Sequence, residues 1–325
     1  MIWVEFIFSA AVIVFAATQL AKYGDIIAVR TRLGGMFIGI LLLAGATSLP
    51  EVLTTVSSLS QGVPNLAAGS LLGSNMFNMV MLAVIDLTGQ QRRILRKAAL
   101  KHALSGSLAA MLIAMVVFFI LAKTEIQVGW VGLDSILLML AYAVAIYLIQ
   151  QNANPLAAVE IFIPERFPSL RRGILGFLAA AGVLAVITPV MVRSSVSIAE
   201  VTGLGASFVG TTLVALVTSL PEMVTTLAAL KLGADDMAIG NLFGSNLFNM
   251  FALGLTDVFF VQGRFLSLID PAFLLVSVIG LIMTILALIG NLARIERRLW
   301  FLEVDALALI LVYVGGLWLL YSRGM

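Results

Sequence analysis

Thr47-Ser-Leu-Pro-Glu51 and Gly73-Ser-Asn-Met-Phe-Asn78 return later in the chain as Thr218-Ser-Leu-Pro-Glu222 and Gly244-Ser-Asn-Leu-Phe-Asn249, each at an offset of 171 residues. Between Thr47 and Met79, 18 of 33 positions are identical at that offset, more than shared apolar composition produces. The match runs outward. Gly34, Phe37 and Gly39 meet Gly205, Phe208 and Gly210; Asp86 meets Asp257, and Asp134 meets Asp305. The repeated unit is therefore long, and the sequence around it says what kind of unit it is.

Of 325 residues, 61% are apolar and 11% charged, where a soluble domain carries roughly a quarter charged residues. Apolar runs near the length of about 20 residues that a helix needs to cross a bilayer alternate with short polar gaps. Ten are read, at about 2–21, 34–61, 65–88, 102–122, 129–150, 172–192, 206–232, 236–261, 268–290 and 302–322. The expected fold is an all-α integral membrane protein. Residues 1–150 form a first five-helix repeat with its motif at 34–79, 151–171 a cytoplasmic connecting loop, and 172–325 a second five-helix repeat with its motif at 205–250. An odd number of crossings per unit places the second copy upside down, the inverted-repeat plan of secondary transporters. Fifteen of the 19 Lys and Arg residues fall on one face by this count, which makes that face cytoplasmic and both termini extracytoplasmic. The first helix, with Glu5 before it and Lys22 after it, is read as retained and not as a cleaved signal.

There is no cysteine and one histidine, His102, to which no role is assigned. Thiol chemistry, disulfides and a zinc site of the His/Cys kind are excluded. A net charge of +2 invites no nucleic acid.

Glu51 and Glu222 lie near the middle of their spans, with no Lys or Arg within a helical turn or two. A carboxylate there costs several kcal/mol unless paired, solvated or bound to a cation. Thr47 lies four residues before Glu51, and Thr218 four before Glu222, so each pair shares a helix face. Ser48 and Ser219 stand one step round. Pro50 and Pro221 lack an N–H and displace the carbonyls of Ala46 and Val217, tolerable at membrane depth where backbone lines a cavity. Ser74 with Asn78, and Ser245 with Asn249, repeat the four-residue spacing on the next helix. Every one of these groups offers oxygen, which suits hard cations such as calcium or sodium. With both glutamates ionised the site carries −2. One calcium, two sodium ions or two protons neutralise it; three sodium ions leave +1. Mutual exclusion in such a cage suffices for antiport.

The motif glycines are read mainly as close-packing positions. Asp134 and Asp305 open helices and suit the helix dipole. Asp86 and Asp257 are interfacial anchors or part of an ion entry path, and Arg193 and Glu200 are expected to pair in an extracytoplasmic loop. Rival readings are a cation channel, an intramembrane enzyme using the glutamates as acid and base, and an antiporter for manganese or magnesium. No nucleophile stands beside a base, and no nucleotide loop is present.

The paired TSLPE and GSNxFN motifs resemble the two α-repeats of the cation/calcium antiporter superfamily, in the sodium/calcium exchanger branch. Length and arrangement are similar to its small bacterial members. The resemblance implies ten helices in two inverted five-helix repeats, with four ion sites clustered between helices 2, 3, 7 and 8. It makes Glu51 and Glu222 shared ligands of calcium and sodium. Thr47, Ser48, Thr218 and Ser219 supply hydroxyl or carbonyl oxygens, and the carbonyls of Ala44 and Ala215 cap outer and inner sodium sites. Ser74, Asn78, Ser245 and Asn249 complete the shell, while helices 1 and 6 slide across the core. Asn249, where potassium-dependent members carry Asp, argues against potassium. The Gly-Asn-x-x-Glu pattern of the proton-coupled branch is absent, so sodium is the expected driving ion, with protons as the alternative and manganese as an alternative substrate. The expectation is thus a calcium-extruding antiporter of a bacterial inner membrane, no enzyme, with no cofactor, calcium and sodium as its substrates, and an oligomeric state left open.

Overall fold

A computed structural model describes residues 1–31, 44–88, 99–152, 168–231, 235–261, 263–293, 298–299 and 302–325. Its main helices are α1 (Ile2–Thr31), α2 (Leu49–Ser60), α3 (Pro64–Thr88), α4 (Ala99–Ala122), α5 (Leu133–Asn152), α6 (Leu170–Thr202), α7 (Ala206–Lys231), α8 (Asp235–Phe259), α9 (Phe273–Ala293) and α10 (Val304–Ser322). The offset of 171 maps both ends of α2 onto Leu220–Lys231 of α7, and both ends of α3 onto α8. It also maps the last residues of α1 and α4 onto those of α6 and α9. Two small hairpins obey the same rule. The pair β1 (Gln127–Val128) and β2 (Val131–Gly132) matches Gln127 to Gly132, and β3 (Arg298–Leu299) and β4 (Leu302–Glu303) matches Arg298 to Glu303. The duplication read in the motifs is therefore a duplication of elements and of hairpin register.

Packing follows it too. α4 against α8 is answered by α9 against α3; α5 against α8 by α10 against α3; and α2 against α6 by α7 against α1. Residues of α3, α4, α8, α9 and α10 build one apolar core, while α1, α6 and the first half of α7 build a second. α1 and α6 lie along one another beside the first core.

Among the described residues, eight helices are long and apolar enough to cross a membrane. α8 is 25 residues long, but Asn241, Ser245, Asn246 and Asn249 make it too polar to join them. Together with 61% apolar composition this is a multi-pass membrane protein.

Two expectations are corrected. The first and sixth spans do not end near residues 21 and 192: α1 continues to Thr31 and α6 to Thr202, where Gly203 closes it with φ +72°. Lys22 and Arg30 therefore sit on helix, as do Arg193 and Glu200, which stay exposed on α6 and form no ion pair among the described residues. The reason is that long charged side chains near a span's end reach the interface without breaking the helix. Gly34, Phe37, Gly39 and most of the 151–171 connection lie outside the described residues.

Glycines decide how close α3 and α7 come. A Cβ on Gly73 would run into the Thr211 carbonyl oxygen and stand 2.8 Å from the Ala215 Cβ. One on Gly210 would stand 2.8 Å from the Leu66 oxygen. The α7 segment against them, Gly210–Val214, is a π turn, the widened geometry that recurs at functional sites.

Candidate cation-binding site

Where Pro50 and Pro221 withhold their N–H groups, both site helices break at the same point. Ser48 takes φ −87° and ψ 7°, and Ser219 φ −88° and ψ −1°. Before each break, a carbonyl folds back into local bonds. The Ala44 oxygen accepts from the Ser48 N–H at 2.9 Å and the Thr47 hydroxyl at 3.1 Å. The Ala215 oxygen accepts from the Ser219 N–H at 3.1 Å and the Thr218 hydroxyl at 3.4 Å, with the Ser74 hydroxyl at 3.5 Å. After each break, one turn into the new helix segment, stand Glu51 and Glu222.

The two glutamates are 1% exposed, and each looks toward the other half. Ser48 donates to Glu222 Oε1 at 3.0 Å, and Thr47 and Ser245 also lie against that carboxylate. Glu51 lies against Thr218 and Ser219 and within electrostatic reach of Glu222. No described Lys or Arg acts on either. Two carboxylates thus share one interior with no countercharge among the described residues.

α3 and α8 supply the rest. Ser74 stands 3.4 Å from the Thr218 hydroxyl. Asn78 donates through Nδ2 to Asn246 Oδ1 at 2.8 Å, and Asn249 donates through Nδ2 to Asn75 Oδ1 at 3.1 Å. These crossed bonds spend the donor ends of Asn78 and Asn249 and leave their oxygens without a protein donor. Glu51 Oε2, Glu222 Oε2, Asn78 Oδ1, Asn249 Oδ1, Ser219 Oγ and Ser245 Oγ are all buried without a hydrogen-bond partner. A buried polar atom left in this way is costly, and six on four converging segments form a cage of surplus acceptors. Such a donor set fits a hard cation. No cluster of three acidic, His or Cys residues exists among the described residues, so neutral oxygens must complete any coordination shell.

All twelve residues expected at the site are thus buried on these segments: Thr47, Ser48, Glu51, Ser74, Asn78, Thr218, Ser219, Glu222, Ser245, Asn249, Ala44 and Ala215. The sequence reading passed over Asn75 and Asn246. Both stand inside the duplicated GSN motif, but lie about 100° round the helix from the Ser74–Asn78 and Ser245–Asn249 faces. It also passed over Asn241, whose Nδ2 donates to the Thr225 and Thr226 hydroxyls at 3.1 and 3.0 Å.

The outlying acids have local work. Asp134 Oδ1 accepts from the Ser135 N–H at 2.9 Å, and Asp305 Oδ1 from Ala306 N–H at 3.0 Å, each at the start of its helix. Asp257 is fully buried and pins two loops by their backbone. The side chain of Asp86 lies outside the described residues.

The family model described as sodium/calcium exchanger protein matches residues 1–150 and 172–322. The CaxA protein of Alkalimonas amylolytica is 27% identical over 329 residues, spanning 97% of this chain and 95% of its own. The inner membrane protein YrbG of Escherichia coli K12 is 26% identical over 247 residues, 73% of each chain. The solved structure of native YfkE superposes with a TM-score of 0.69 at 20% identity, covering 98% of this chain and 92% of that one, a likeness of fold. Matched by that family model through both halves, the chain belongs to the sodium/calcium exchanger protein family.

Proposed function

We propose that the chain is a secondary-active antiporter that exchanges calcium for sodium by alternating access, and that it extrudes calcium from the cytoplasm. The observation that carries this is the pair of buried carboxylates from the two halves, with no cation beside them among the described residues and ringed by unpartnered oxygens. Glu51 and Glu222 act as ligands common to both ions. Thr47, Ser48, Thr218, Ser219, Ser74, Ser245, Asn78 and Asn249 supply neutral oxygens, with the Ala44 and Ala215 carbonyls at the ends of the cage. One calcium cancels the charge of −2, and sodium ions cancel it in its absence. A loaded cage crosses a low-dielectric barrier more easily than an empty one, which couples the two fluxes without a separate gate for each.

The architecture in this reading is ten crossings in two inverted five-helix repeats, 1–150 and 172–325, joined by a cytoplasmic 151–171 connection. The recurrence of helix ends and hairpin register at one offset supports it. Both termini are extracytoplasmic, and the membrane is a bacterial inner membrane.

The test is flux. Purified protein in sodium-loaded vesicles, diluted into sodium-free buffer, should take up labelled calcium, and Glu51→Gln or Glu222→Gln should abolish uptake. Uptake driven only by a pH gradient would replace sodium with protons as the coupling ion. Calcium flux that ignores both gradients would overturn antiport in favour of a channel.

A further inference from the structure

Away from the cage, the end of α8 and the start of α5 share a buried ionic cluster. Asp257, on α8, is fully buried; its Oδ2 accepts from Gly132 N–H at 2.7 Å and its Oδ1 from Phe265 N–H at 2.6 Å. Asp134, at the start of α5, is 2% exposed, and its Oδ2 lies 3.9 Å from Arg264 Nη1. Arg264 is nine-tenths buried, and that nitrogen has no hydrogen-bond partner. Around the cluster, Trp130 Nε1 donates to the Val258 oxygen at 3.2 Å, and a Cβ on Gly254 would stand 2.9 Å from the Ser135 oxygen. Gly132 has no room for a side chain: its Cβ would fall among the Asp134 and Asp257 carboxylates. Apart from the bond between Phe265 and Asp257, which fixes the turn after α8, these ties join α5 or its hairpin, from the first half, to α8 or the turn after it, from the second.

The chain carries this set twice. At the offset of 171, Asp257, Arg264 and Asp134 correspond to Asp86, Arg93 and Asp305. The side chains of Asp86 and Arg93 lie outside the described residues, but Asp305 meets the Ala306 N–H as Asp134 meets that of Ser135. Two halves that differ at nearly half of even their best-matched positions have both kept two acids and one arginine at these places.

Burying such a group is not a route to stability, since well-packed apolar residues commonly do as well or better. What ionic groups with directional bonds provide is registry. α8 carries Asn246 and Asn249, and Asp257 follows them by eleven and eight residues, roughly 16 and 12 Å along a rigid helix. A slip or rotation of α8 at Asp257 is therefore delivered to the crossed Asn bonds and the unpartnered Asn249 oxygen.

We infer that Asp134, Asp257 and Arg264 are positioning residues: they tie the two halves together at the end of α8 and so set where the Asn246–Asn249 edge of the cage stands. The inference rests on the cage reading above, and the readout is the calcium concentration for half-saturation, K½. It is measured by calcium-dependent thermal stabilisation of protein in detergent and by uptake in vesicles, on molecules that pass as folded by size-exclusion chromatography. Arg264→Gln and Asp134→Asn should each raise K½ about tenfold, the low end of what loss of outer-shell support costs a metal site. Arg264→Lys should recover part of that loss. The double variant Asp134→Asn with Arg264→Gln should lose less than the product of the single losses, because the second change removes a charge already stranded. A role in stability alone would lower folded yield and maximal rate with K½ unchanged in every variant, and would overturn the inference. If Arg264→Gln does not fold, Arg264→Lys and the double variant decide between these outcomes in the same way. Wild-type protein that binds neither calcium nor sodium would sink the cage reading; wild-type binding with unmoved K½ in the variants would sink the positioning role alone.

Discussion

Glu51 and Glu222 repel one another inside an interior where no described residue offers them a countercharge. Replacing either by Gln removes that repulsion together with a ligand. In chelator-containing detergent solution, Glu51→Gln and Glu222→Gln should therefore melt at or above the wild-type temperature, because a buried like-charge pair favours neutralising one member. Both should lose the rise in melting temperature on adding calcium, and uptake should fall at least about 100-fold, beyond the loss typical of an outer-shell residue. Melting well below wild type without cations would instead make the carboxylates structural hydrogen-bonding groups. Asn75→Ala and Asn246→Ala free the amide ends of Asn249 and Asn78 to turn. Each should raise K½ for calcium about tenfold at little cost to the maximal rate; equal affinity in a calcium titration would count against the crossed bonds as supports. The convergence of the glutamates, serines and threonines was legible from residue type, depth in the span and duplication. The role of Asn75 and Asn246 was not, because helical spacing reports one face at a time and their partners sit on the opposite half.

At the scale of elements, α3 and α7 touch through backbone. Gly73→Ala would drive a methyl group into the Thr211 carbonyl and the Ala215 side chain. It should cost more than the about 1–3 kcal/mol usual for overpacking, since backbone cannot give way as a rotamer does. A large fall in melting temperature and loss of uptake are expected. Gly182→Ala on α6, where nothing lies within 4 Å of the new methyl, should melt and transport as wild type. Equal behaviour of the two variants would mean that α3 and α7 do not hold this contact in the membrane. Helical type was readable from apolar run length, and the spans read at 65–88, 206–232 and 236–261 end within two residues of α3, α7 and α8. The ends of α1 and α6 were not readable. An apolar run stops at Lys22 or Arg193, whereas hydrogen bonding carries the helix on to Thr31 and Thr202.

For the whole molecule, the absence of cysteine makes sidedness measurable. Gln127 and Arg298 occupy the same register position in the two hairpins. In intact cells, an impermeant maleimide should modify Gln127→Cys from outside, and Arg298→Cys only after permeabilisation. Modification of both from one side would refute the inverted arrangement. The duplication was plain from two short motifs; its reach into hairpin register and helix ends was not, because those segments share shape with little shared sequence. It leaves one asymmetry. A Cβ on Gly73 would meet the Ala215 Cβ at 2.8 Å, whereas one on Gly244 would meet that of Ala44, the equivalent residue, at an ordinary 3.5 Å; Ser74 reaches the Ala215 carbonyl and the Thr218 hydroxyl, while Ser245 Oγ is buried without a hydrogen bond. A see-saw with matched arms rests at either end at nearly the same height. In the proposed antiporter, interchanging the tight and loose halves would swap one set of contacts for its counterpart, so the two poses would lie close in energy. The modest preference of a bound ion would then be enough to tip the protein from one to the other.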